Sequence, residues 1–144
     1  MKMNSTLRAL MLAVSLSALA GVALARSTNM IELGRQTPVT VDARPLTIDA
    51  MRKAIIAGGS VHGWKPVGDQ PGVLTLQASS GQHLAVVDVA YDAQGWQINY
   101  KSSANLNYEH SDRRTSIHPK YNKWVEELNS EIRRAATSVP PSSN

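Results

Sequence analysis

The sequence predicts an α+β fold: a two-layer sandwich of order αββββα, with an antiparallel four-stranded meander carrying two helices on one face. Three observations lead there. Apolar residues recur at helical spacing near residues 47–58 and again from Pro119 onward. Between them, from about Val61 to Tyr100, the period falls to two. The turns separating those alternating runs are short, and short turns join only antiparallel neighbours. Two amphipathic helices and a sheet with one apolar face bury that surface most simply when both helices cover the same face.

The first helix is predicted over about 47 to 58. Thr47 is a good N-cap, and Asp49 falls in the first turn, where the helix dipole favours an anion. Ile48, Met51, Ala54 and Ile55 form the apolar stripe, and Gly58-Gly59 reads as the stop. Trp64-Lys65-Pro66-Val67 reads as the first strand. Pro66 has no N–H to give a ladder and therefore predicts an edge position. Gln70-Pro71-Gly72 is a turn, Val73 to Ser79 a second strand, and Ser80-Gly81 a second turn. His83 to Tyr91 is the third strand, with valines at 86, 87 and 89. Asp92-Ala93-Gln94-Gly95 closes a hairpin onto a fourth, whose inward face is Trp96, Ile98 and Tyr100. The second helix opens at Pro119, whose missing N–H costs nothing in a first turn. Tyr121, Trp124, Val125, Leu128 and Ile132 then line one stripe, and Arg133-Arg134 stand near its C-terminal end.

The flanks read differently. Residues 1–25 open with Lys2 and Arg8, continue through the apolar run ALMLAVSLSALAGVALA, and end in Ala23-Leu24-Ala25. That pattern is expected to be a secretory signal peptide cleaved before Arg26; the competing reading is an uncleaved anchor. Residues 26–45 read as an extended lead-in, with Val39-Thr40-Val41 as a short edge strand. Residues 46–136 form the α+β domain. Residues 137–144, TSVPPSSN, are expected to be a disordered tail.

Of fifteen Lys and Arg, Lys2 and Arg8 leave with the signal, so thirteen bases face eleven acids and the net charge falls from +4 to +2. The bases are scattered, which predicts no nucleic-acid partner. Without cysteine the chain has neither disulfides nor a site for lipid attachment, so burial alone must hold it together. The remaining 119 of 144 residues suffice, since a chain of that size buries about 65% of its extended surface.

The stretch NYKSSANLNYEHSDRRTSIHPKYNKWVEEL, residues 99–128, is the least ordinary. Ser102, Ser103, Asn105 and Asn107 favour a bulged strand end or a short fifth strand. Glu109 to Thr115 is too charged for burial and reads as a loop tip. His118 is placed to cap the second helix, and Asn122 to pin the preceding loop. The sharper reading makes Ser103, Asn105, Tyr108, His110, His118 and Asn122 a binding site between loop 101–118 and the sheet. No metal or cofactor site is expected: the histidines lack helical ligand spacing, and His62 and His83 are assigned to different strands. Ser102 and Ser103 lack a Gly-x-Ser-x-Gly elbow, Gly58-Gly59-Ser60 follows a helix and so is no phosphate loop, and no catalytic carboxylate pair is apparent.

The segments PGVLTLQ (71–77), HLAVVDVAYD (83–92), INYKSSANLNY (98–108) and IHPKYNKWVEEL (117–128) resemble a family of small exported proteobacterial proteins, hypothetical proteins and putative lipoproteins. The resemblance covers residues 46 to 136. It implies a fold and an envelope location but no chemistry, and the absent cysteine keeps lipid anchoring from carrying over. The expected function is a periplasmic, non-enzymatic binding or accessory module that meets an envelope protein or cell-wall component. The alternative is a small-molecule or metal-binding protein, conceivably a hydrolase, with its pocket at loop 101–118.

Overall fold

The computed structural model describes residues 26–40 and 44–140; the expected signal segment 1–25 lies outside the described residues, as do 41–43 and 141–144. Helix α1 spans Ile48–Val61, and Thr47 caps it as predicted: its hydroxyl accepts from the Ala50 N–H at 3.0 Å. The helix does not stop at Gly58-Gly59. It continues through both, because α2, Pro119–Thr137, crosses at that point. A Cβ on Gly58 would lie 2.6 Å from the Ile132 backbone nitrogen, so glycine is what lets the two helices approach. Termination comes at Gly63, whose φ of 77° is the left-handed cap conformation. The Trp64 N–H bonds the Gly59 carbonyl at 2.9 Å, and the Gly63 N–H bonds that of Ser60 at 3.2 Å. His62 therefore caps a helix and belongs to no strand. Ile48, counted in the apolar stripe, is 54% exposed; Ala50 is partly buried against the core, and the fully buried face begins at Met51.

In α2, Tyr121, Val125, Leu128 and Ile132 are buried as their spacing requires, and Ala136 extends the row. Trp124 is only half-buried. It shares a flank of α2 with Glu131, which α1 covers. The helices run antiparallel and α1 ends at His62, 4.0 Å from Glu127, so Trp124 lies a turn beyond that cover. The Lys120 ammonium sits over its ring instead, 5.5 Å from the centroid.

The meander is β3 (Lys65–Gln70), β4 (Val73–Ser80), β5 (His83–Asp92) and β6 (Gly95–Ala104), with β3 at the edge where Pro66 required it. Register pairs Leu74 with Val89, Leu76 with Val87, Val89 with Ile98 and Tyr91 with Trp96, which sets one apolar face against the helices. The other face is polar: Asp88 accepts from Thr75 at 2.6 Å and from Lys101 at 3.1 Å.

The lead-in is more than a lead-in. β1 (Thr28–Asn29) pairs with β8 (Thr115–Ile117), which pairs with β7 (Glu109–His110), giving a second, three-stranded sheet in the order β1-β8-β7. β2 (Arg35–Gln36) pairs with Gln97 and Trp96, making the main sheet five-stranded, β2-β6-β5-β4-β3. The edge strand expected at Val39–Val41 is absent from its described part, where Val39 and Thr40 lie in no strand; Val41 falls outside the described residues. Only Ser111–Arg114 is a tip, closed by a 3.0 Å backbone bond, since Glu109, His110 and Thr115 have joined the ladder. The expected tail begins later than Thr137, which is still helical, and Val139 packs against the core; 141–144 lie outside the described residues. No described helix is long and apolar enough to cross a membrane.

Candidate functional site: a cleft between two sheets

A bulge at Lys101 organises the segment after β6. Val87 pairs with Tyr100 and Val86 with Ser102, so Lys101 is the extra residue. The insertion shifts the alternation and puts Tyr100 and Ser103, three apart, on one face; their hydroxyls meet at 2.9 Å. Two left-handed residues follow, Asn105 at φ 56° and Asn107 at φ 51°, a conformation Asn tolerates better than most. Between them Leu106 turns into the core at 1% exposure, and its carbonyl accepts from the His118 N–H at 2.7 Å.

Most of the predicted site residues are bound into this joint. Asn105 donates through Nδ2 to the Gln82 carbonyl at 2.7 Å, and its own carbonyl accepts from His83 Nδ1 at 2.7 Å. In that bond His83 Nδ1 is the donor. His118 caps α2, with Nδ1 accepting from the Lys120 N–H at 3.1 Å, so that nitrogen carries no proton. The two imidazoles lie 5.2 Å apart. Burial first, then His83, Lys120 and Arg26, hold His118 below the usual histidine range. Asn122 does not pin the preceding loop. It reaches the lead-in, donating to the Asn29 carbonyl at 2.8 Å and accepting from the Ile31 N–H at 3.1 Å. Trp96 and Asn129 add a buried tie: the indole N–H donates to Asn129 Oδ1 at 2.9 Å. Asn129 and Arg133 in turn both donate to Gln36 Oε1, which anchors β2.

Where the two sheets part, they leave a cleft of about 430 Å³. β2 covers β6 only at Trp96 and Gln97, so the rest of that edge, Ile98 to Ala104, has no strand beside it among the described residues. One wall is this edge, through Gln97, Asn99 and Tyr100; the second is the lead-in connector, including Met30 and Glu32. Tyr108, His110 and Thr115 close the side of the small sheet, and Tyr121 of α2 forms the floor. Of the predicted site residues the structure brings Tyr108 and His110 to this cleft, whereas Ser103, Asn105, His118 and Asn122 are not among its walls.

Aromatic packing sets its geometry. Tyr100 and Tyr108 stack with centroids 4.2 Å apart and planes 11° from parallel, and Tyr121 meets Tyr100 edge-on at 5.7 Å and 73°. Burial above all, then Tyr100, Tyr108 and Glu32, push the Tyr121 hydroxyl well above the usual phenol range, so it stays protonated. His110 Nδ1 is engaged with Thr115 Oγ1 at 2.8 Å. Among the described residues no three His, Asp or Glu gather closely enough to hold a metal ion. Sequence reasoning missed Met30, Glu32, Gln97 and Asn99. The last two lie on the polar side of a legible strand, but no local signal folds the lead-in back across them.

None of the family models, curated proteins or solved structures compared with the chain matches it.

Proposed function

We propose that this protein is an exported, non-enzymatic binding module of the bacterial envelope, and that its ligand site is the cleft between β6 and the small sheet. The observation that carries the reading is how the cleft is held. Its walls come from four separate segments, each fixed by contacts of its own: Asn122 on Asn29 and Ile31, β2 on β6, the β7–β8 ladder, and the burial of Tyr121. A concave site fixed in this way is preformed, and ligand pockets are as a rule largely preformed. Its partners are envelope proteins, cell-wall components or small molecules of that compartment, in keeping with the signal-like residues 1–25 and the resemblance of 46–136 to exported proteins.

Two measurements test this. Fractionation should find the chain outside the inner membrane and shortened by residues 1–25; full-length chain in the cytoplasm overturns the export half. A thermal-shift panel of cell-wall fragments, envelope metabolites and divalent metals should raise the melting temperature for at least one class. Thr115→Lys, which fills the cleft, should abolish that rise. A panel without effect, or one unchanged by Thr115→Lys, overturns the binding half.

A further inference from the structure

We propose that the cleft receives an alkylammonium group, carried by a free amine or by a lysine-like side chain, with the Tyr108 ring, the Tyr121 hydroxyl and the Glu32 carboxylate as its receptors. The inference rests on the cleft being the ligand site and names the chemistry it selects.

Charge is the first argument. The wall residues include Glu32 but no lysine and no arginine, although bases outnumber acids in the chain. Glu32, like Glu109, Asp112 and Glu126, takes part in none of the ion pairs among the described residues, and of these four it alone lines the cleft. An anionic ligand would meet a carboxylate with nothing to balance it; a cationic one completes the pairing.

The Tyr121 hydroxyl is a second receptor on the cleft floor. Tyr121 is 2% exposed, yet no described residue hydrogen-bonds its hydroxyl, and burial keeps that hydroxyl neutral. Its lone pairs are open to an N–H donor, and the residue stands on the cleft floor beside Tyr100 and Tyr108.

The third is the aromatic surface. The Tyr100 hydroxyl is taken by Ser103, which fixes that ring, and Tyr108 stacks on it. Tyr108 has Tyr100 against one face and is still 38% exposed. A tyrosine face near a carboxylate attracts an ammonium through the ring quadrupole. On the β6 side Gln97 Nε2 donates to Asn99 Oδ1 at 3.2 Å, which leaves the Gln97 amide oxygen as an acceptor for a further N–H group.

The test is a titration of the exported chain by amide-detected NMR with choline, cadaverine and Nα-acetyl-lysine amide. The comparison compounds are 3,3-dimethylbutan-1-ol, the neutral shape analogue of choline, and N-acetylglucosamine. The expected result is saturable shifts at Glu32, Asn99, Tyr108 and Thr115 with the ammonium probes and none with the neutral ones. Cadaverine outcompeting Nα-acetyl-lysine amide identifies a free amine as the source, and the reverse identifies a peptide. Glu32→Gln and Tyr108→Leu should each weaken binding about two- to fivefold, while Tyr108→Phe should retain it. Binding of choline, cadaverine and Nα-acetyl-lysine amide no tighter than that of the neutral compounds to the unaltered chain overturns the ammonium assignment and leaves the cleft as a site for neutral ligands. The absence of shifts at these residues with all five probes overturns both the assignment and the cleft reading.

Discussion

Gly58→Ala sets two physical effects of opposite sign against each other. In a helix interior, alanine exceeds glycine by about 1 kcal/mol, so propensity alone predicts a more stable protein. The structure predicts the reverse. The new Cβ would lie 2.6 Å from Ile132 N, 2.7 Å from the Glu131 carbonyl carbon and 2.7 Å from Ile132 Cα, about 0.8 Å short of an ordinary 3.4 Å contact. All three atoms are α2 backbone, so no rotamer change relieves the clash and the helices must separate. Overpacking a core costs about 1–3 kcal/mol, and a rigid neighbour places this case at the upper end. Net of the propensity gain, the loss is about 2 kcal/mol, equivalent to about 8 °C in Tm for a chain this long. Urea denaturation followed by circular dichroism measures it directly. Gly59→Ala is the internal control, because there the Cβ meets side-chain atoms of Trp64 at 3.2 Å and Leu76 at 3.4 Å, which can give way. Its change should fall within about 1 kcal/mol of zero, propensity offsetting mild crowding. If Gly58→Ala is neutral or stabilising, the close crossing is not what fixes glycine at that position.

Asn129→Ala leaves the buried Trp96 indole N–H without its acceptor and should cost about 2 kcal/mol, with a shift in tryptophan fluorescence; in a Trp96→Phe background the loss should shrink, as a double-mutant cycle would show. Asn122→Ala removes both side-chain bonds to the lead-in, so amide exchange at Ile31 and the β1–β8 pairs should accelerate about tenfold or more, while α1 and β5 exchange as before. Because the His118 pKa is lowered in the folded state, its neutral form is the stabilising one. That contribution is complete above the unfolded pKa of about 6.5 and is lost as pH falls through the folded value. His118→Asn keeps a capping oxygen without the titration and should flatten the urea midpoint between pH 4.5 and 6.5, an interval above the lowered carboxyl pKa values of Asp88 and Asp92.

What the sequence made legible was whatever repeats locally. The valines of β5, Pro66 at the edge and the Tyr121–Ile132 row each carry a period or a backbone constraint that neighbouring residues suffice to reveal, and the α+β meander followed from them. Two-residue strands have no period, which is why β1 and β2 passed for an extended lead-in. Gly58-Gly59 reads as a stop because a helix stop and a helix crossing ask for the same residue; only the position of Ile132 separates them. Trp124 satisfied the stripe, but its cover depends on where α1 ends. The candidate site was half legible for the same reason. Tyr108 and His110 stood out by type in an odd stretch, while Glu32 and Met30 reach the cleft through contacts some ninety residues long.

Those long contacts also impose an order of assembly. The side-chain bonds that hold residues 29–36 against α2 span 91 to 97 positions. A chain made from its N-terminus at about 5–20 residues per second must extend for about 5–20 s after the first of these partners appears before the last can answer it. The four meander strands need no such wait, since each pairs with its neighbour in sequence. Residues 29–36 can thus pair with β6 and β8 as those strands appear, but their side-chain ties to α2 close last, when the final helix is complete.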